Sequence, residues 1–149
     1  MPFYPVAVGP SPATPIAVVA ATTTWPEFPN LWGKLLDDVW AFLRDGGATQ
    51  GGHNVMVYLD GTPRVEVGVQ VTEPFEGNGR VICSTLPAGP CASTVHRGPY
   101  DELDEAHAAV KAWCGSHGHR LTGVRWEIFG DHRDDPAELE TEVCWQLAE

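Results

Sequence analysis

The chain is short of basic residues. Lysine and arginine total 9 against 20 aspartates and glutamates, a formal net charge of −11 over 149 residues. A surface of that sign repels phosphate backbones, so direct nucleic-acid binding is not expected, while cations are drawn toward it. Long apolar runs are missing too. The longest, IAVVAA at 16–21, is far below the ~20 residues that span a bilayer, so no membrane association is expected. No basic stretch followed by an apolar core opens the chain, so no secretion signal is read. The four cysteines, Cys83, Cys91, Cys114 and Cys144, form no CxxC pair. They read as reduced thiols of a cytoplasmic protein and not as a zinc knuckle. The six histidines are scattered, so no metal site is expected. No GxSxG elbow, phosphate loop or dinucleotide fingerprint occurs, and no cofactor is expected.

What remains is the composition of one globular domain, 43% hydrophobic and 19% charged. Residues 1–15 hold five prolines (Pro2, Pro5, Pro10, Pro12, Pro15). That arm is expected to be extended or disordered, with the folded domain running from 16 to 149. IAVVAATTT at 16–24 is β-branched and reads as a strand. NLWGKLLDDVWAFLRDGG follows as a helix, with Asn30 as its N-cap and Gly46-Gly47 as its stop. Leu31, Leu35, Val39 and Phe42 make one apolar stripe; Trp32, Leu36, Trp40 and Leu43 make a second beside it. A helix apolar over so much of its circumference touches two surfaces. HNVMVYL (53–59) and RVEVGVQV (64–71) read as strands joined through Asp60-Gly61.

After a further strand at 80–86 the order recurs. CASTVHR is a strand and DELDEAHAAVKAWCGSHG a helix; VRWEIFG and ETEVCWQL form a second hairpin. An offset of 71 lays Gly47 on Gly118, Val39 on Val110 and Tyr58 on Phe129; an offset of 76 lays Glu66-Val67-Gly68-Val69-Gln70 on Glu142-Val143-Cys144-Trp145-Gln146. The expected fold is α+β: duplicated βαββ modules, about 16–71 and 80–147, with pseudo-twofold symmetry. They would form a mostly antiparallel sheet with two main helices and a groove between modules. Under the first offset Met56 is the counterpart of Glu127, so the groove is symmetric in shape and asymmetric in charge.

Glu127 stands among Trp126, Ile128 and Phe129. A carboxylate in such company is costly to bury without a partner. Either a protein cation serves, with Arg125 on the same strand face or Arg64 or Arg80, or a ligand does.

HRGPYDEL, a helix ending in Trp113-Cys114, GVRWEIF and TEVCWQL, in that order, resemble the GyrI-like small-molecule-binding domain. The same domain forms the effector-binding half of MerR-type and some AraC-type multidrug regulators. The resemblance covers the chain after Pro15 and implies a hydrophobic groove for bulky, flat, often cationic aromatic compounds. It places the carboxylate of the WEIF strand, here Glu127, at the heart of that groove. Some members resemble hydrolases of cyclopropane-bearing natural products, and others are linked to gyrase protection. No helix-turn-helix segment accompanies the domain in this sequence.

The expected ligand-binding set is Glu127, Phe129, Tyr58, Trp40, Trp145 and His96. Phe129 shares the strand face of Glu127, and Tyr58 is its repeat counterpart. Trp40 lies off the main stripe of its helix, and Trp145 replaces the smaller Val69. His96 is either a polar contact or a histidine closing a strand. The first expectation is a binder of hydrophobic or cationic aromatic molecules. The second is a hydrolase in which Glu127 activates water, with His96 or Tyr100 polarising the leaving side. The third is a module acting on gyrase or another protein. A homodimer through an edge strand or the second stripe of the first helix stays open.

Overall fold

The structure, a computed structural model, describes residues 4–61 and 63–148. Its strands are β1 (Ala7–Ser11), β2 (Thr14–Thr22), β3 (Gln50–Tyr58), β4 (Arg64–Val71), β5 (Ile82–Leu86), β6 (Gly89–Arg97), β7 (Leu121–Phe129) and β8 (Glu140–Leu147). Helix α1 spans Phe28–Arg44 and α2 spans Leu103–Ser116. All the strands join one antiparallel sheet in the order β1-β6-β8-β7-β3-β4-β2-β5.

That order reads the same from either end once β1–β4 are exchanged for β5–β8. Moving β1 on by 75 residues gives β5, and moving β2 on by 75 gives β6; moving β3 by 71 gives β7, and β4 by 76 gives β8. The duplicated unit is therefore ββαββ, one strand longer at its front than the sequence pattern suggested. The extra strands are exchanged: β1 of the first half pairs with β6 of the second, and β5 of the second with β2 of the first. The pseudo-twofold passes through the centre of the β3–β7 ladder.

The proline-rich arm thus belongs to the sheet from Ala7 onward. Proline has no N–H to give a ladder and is tolerated at an edge strand. Here Pro10 of β1 lies opposite Pro90 of β6, so the missing donors fall on one rung. The arm is tied down further by Thr94, whose hydroxyl donates to the Pro5 carbonyl at 2.8 Å.

Helix α1 begins two residues before the expected N-cap. Asn30 lies inside its first turn, with Pro29 at the start, where a missing N–H costs nothing. The capping oxygens come from Thr24: its hydroxyl accepts from the Glu27 N–H and its carbonyl from the Phe28 N–H. The stop is as read, with Gly46 at φ +86°. Beyond the helices, the alternation of Val65, Val67, Val69 and Val71 along β4 turns one face toward α1. On the other face a Cβ at Gly68 would overlap the Ala17 carbonyl, so only glycine lets β2 and β4 approach there.

Both helices lie on one face of the sheet. Leu35 and Val39 of α1 pack on the β2 and β4 valines; Leu103, Ala106, Val110 and Cys114 of α2 pack on Ala92, Val143 and Leu147. The opposite face holds its own cluster of Ile16, Val18, Val55, Val57 and Trp126. With one helix over each half, the floor between them is β3 and β7. Among the described residues no helix is long and apolar enough to cross a membrane.

Candidate functional site

Glu127 stands in the middle of that floor, 5% exposed, opposite Met56 in the β3–β7 ladder. Both carboxylate oxygens are engaged. The Tyr58 hydroxyl donates to Oε1 at 2.8 Å, and His107 Nε2 lies 2.7 Å from Oε2. The direction of the second bond is set one residue further on. Trp145 Nε1 donates to His107 Nδ1 at 3.0 Å. An indole N–H can only donate, so Nδ1 is the acceptor and the imidazole proton sits on Nε2. His107 therefore meets Glu127 through its Nε2–H. A proton on Nδ1 would set two N–H groups against each other. Burial, and then the Glu127 carboxylate, push the Tyr58 pKa upward, which keeps that hydroxyl a donor as well.

Among the described residues no arginine bonds to the carboxylate. Arg125 turns its Nη1 to the carbonyls of Asp60 (3.2 Å) and Gly123 (3.1 Å). Arg64 pairs with Asp60, and Arg80 with Asp38. Among the described residues, only His107 comes within ion-pair distance of Glu127. A nearly buried carboxylate is thus held by two hydrogen-bond donors, and Arg125, which lines the same lobe, acts on it through space and not by an ion-pair contact.

The groove opens on both sides of it. Between α1 and the start of α2 lies an apolar lobe of about 580 Å³, walled by Phe28, Trp32, Leu36, Met56, Tyr100 and Phe129. On the other side lies a smaller lobe of about 310 Å³, walled by Trp25, His107, Lys111, Arg125 and Trp145. Glu127 and Tyr58 face both. Trp25, Trp32 and Tyr100 are 46%, 39% and 45% exposed, so three large aromatic side chains stand open at the groove. The duplication relates the lobes. The offset of 71 that carries Met56 onto Glu127 also carries Leu36 onto His107, Asn54 onto Arg125 and Tyr58 onto Phe129. One lobe is the apolar counterpart of the other.

The sequence matches the GyrI-like small molecule binding domain over residues 9–148. The chain belongs to this family. Its fold is shared with the C-terminal domain of EcmrR, at a TM-score of 0.83 and 21% identity over 98% of each chain. Against EcmrR in its DNA complex the chain covers only 58% of that protein. SAV2435 bound to tetraphenylphosphonium is similar at a TM-score of 0.70 and 8% identity, over 97% of this chain and 94% of that one. A hydrolase from Listeria innocua is similar at 0.68 and 12% identity, over 96% and 91%. No curated protein sequence matches significantly.

Within this GyrI-like domain, Tyr58, Phe129 and Trp145 come together around Glu127. Trp40 and His96 do not join them. The Trp40 ring packs against the α1 core and donates its N–H to Asn54 Oδ1 at 3.1 Å. His96, 1% exposed, bridges the Tyr4 hydroxyl and the Pro99 carbonyl, both at 2.9 Å, and so fastens the N-terminal arm to the end of β6. It is the strand-end histidine of the two readings. His107 is the residue that sequence reasoning passed over. Its signal was present: it follows buried Ala106 and precedes buried Val110 by three, at the margin of the α2 stripe.

Proposed function

We propose that this GyrI-like domain binds bulky aromatic cations in the groove, with Glu127 as the complementary charge. One observation carries the reading. Glu127 is nearly buried, its oxygens are held by the Tyr58 hydroxyl and the His107 Nε2–H, and among the described residues no lysine or arginine makes an ion-pair contact with it. A cation that reaches the carboxylate gains a charge-assisted contact at a site already stripped of water. Trp32, Tyr100 and Phe129 add contact area, and each cation–π contact is worth about 0.5–2 kcal/mol.

The test is fluorescence polarisation of a flat cationic dye titrated with wild type and Glu127→Gln. The expected loss is roughly tenfold or more in affinity for the cation, with a smaller loss for a neutral dye of the same size. Equal losses for both dyes would remove the charge role. Hydrolysis has weaker support: both oxygens of Glu127 already accept a hydrogen bond, and of the two assisting groups expected, Tyr100 lines the groove while His96 lies outside it. Product formed in excess of protein, and abolished by Glu127→Gln, would reverse that ranking.

A further inference from the structure

The smaller lobe gathers two bases, Arg125 and Lys111, on one side and two carboxylates, Asp104 and Glu127, on the other, in a protein of net charge −11. Arg125 and Lys111 both face it, and neither forms an ion pair among the described residues. The aromatic faces are already taken. The Arg125 guanidinium carbon lies 5.7, 5.3 and 5.4 Å from the ring centroids of Trp25, Tyr58 and Trp145. Lys111 Nζ lies 5.6 Å from the Trp145 ring. A ligand cation entering this lobe would find its stacking sites filled by cations of the same sign.

Arg125 also has capacity to spare. A guanidinium carries five N–H donors, and among the described residues only Nη1 donates, to two backbone carbonyls. Those bonds fix the plane of the group without neutralising it. Burial pulls the Arg125 pKa down, and Tyr58 and the Glu127 and Asp60 carboxylates offset this only in part, so a bound anion would relieve the remainder. The apolar lobe has no such pair: Asn54 stands at the counterpart of Arg125, and its charged lining residues are Asp101, Asp104 and Glu127. Asp104 and Glu127 also line the smaller lobe, so an anion there must sit toward Arg125 and Lys111.

We infer that the smaller lobe is an anion subsite, formed by Arg125 and Lys111, and that the preferred ligands are zwitterionic. Such a ligand has an aromatic body in the apolar lobe, a cationic centre at Glu127 and a carboxylate or sulfonate at the two bases. The inference rests on the groove reading above and narrows its ligand class. Planar, two-pronged donation to an oxyanion is what the guanidinium supplies and an ammonium does not. The test uses one dye in two forms, rhodamine B with its free carboxylate and rhodamine B ethyl ester, titrated by polarisation.

Wild type is expected to bind the free acid roughly tenfold more tightly than the ester. In Arg125→Gln and in Lys111→Gln that ratio falls toward one, whatever happens to either affinity alone; Arg125→Lys restores part of it. The ratio is read within each variant, so general destabilisation does not imitate the effect. Ester bound as well as acid in wild type, or a preference that survives both substitutions, overturns the subsite and leaves the cation reading standing. Acid bound and ester not bound upholds the subsite and removes a reading based on cationic charge alone. Neither dye bound overturns both.

Discussion

Met56 and Glu127 face each other across the β3–β7 ladder and are also each other's counterparts in the duplicated chain. The pseudo-twofold therefore runs between a thioether and a carboxylate. Two copies of one unit had to meet along this line, and two identical charges could not be buried side by side there. Replacing one member with an apolar residue lets the halves join and leaves a single carboxylate at the centre. The neighbours follow the same division: Glu127 has Tyr58 and His107 as donors, while Met56 has Phe129 and Leu36 near it in the apolar lobe.

Met56→Glu tests that argument. It restores a second carboxylate at a position 9% exposed, beside one 5% exposed. The pair cannot both ionise without strong repulsion, so one carboxyl has a raised folded-state pKa. A raised pKa means the folded form binds the proton more tightly. The variant is then least destabilised in acid and loses stability as pH rises through the unfolded and then the folded value. Urea unfolding should show a loss of roughly 2–4 kcal/mol near pH 8 and a smaller one near pH 5. An equal loss at both would mean that the defect is packing and not charge.

Strand register and duplication were legible because they depend on local patterns. The alternation in β4 and β8 gave their limits to the residue, and glycine stops marked both helix ends. β1 was hidden because Pro5, Pro10 and Pro12 argue against a strand unless the partner's proline is known to lie opposite. The site was half legible. Strand-face parity brings Arg125, Glu127 and Phe129 to one side, but parity does not say that Arg125 turns to two carbonyls and three rings. Trp40 was misplaced because its helix rotates that ring onto Asn54 and the α1 core. The role of His107 follows only from Trp145, which is 38 residues away in sequence.

Trp145→Phe tests that role. The ring volume is largely kept, and the N–H that holds His107 Nδ1 as an acceptor is lost. The ring is then free to carry its proton on Nδ1 and turn an acceptor nitrogen toward Glu127, which takes one donor from the carboxylate. Nitrogen chemical shifts of the imidazole should report the Nε2–H tautomer in wild type and a mixture of tautomers in the variant. A wild-type ring with its proton on Nδ1 would sink the tautomer argument.

The helix-free face offers a separate test. Cys91 and Cys144 lie on adjacent strands and line the same cavity. The neighbouring Cys144 thiol pulls Cys91 down to about 7, against burial and the Glu142 carboxylate, which act upward. Cys144, whose S–H donates to Glu142 Oε1 at 3.4 Å, is pushed well up, as is buried Cys114. The thiolate is the nucleophile, so Cys91 gains reactivity as pH rises through its own value and not through that of an ordinary thiol. Alkylation by iodoacetamide, followed by peptide mass spectrometry, should show Cys91 labelling climb across roughly pH 6 to 8, while Cys114 and Cys144 stay unmodified. Cys144→Ala removes that neighbouring thiol and should move the Cys91 midpoint upward. A midpoint that stays where it was would assign the low value to some other neighbour, of which the Ser11 hydroxyl is the nearest in chemistry.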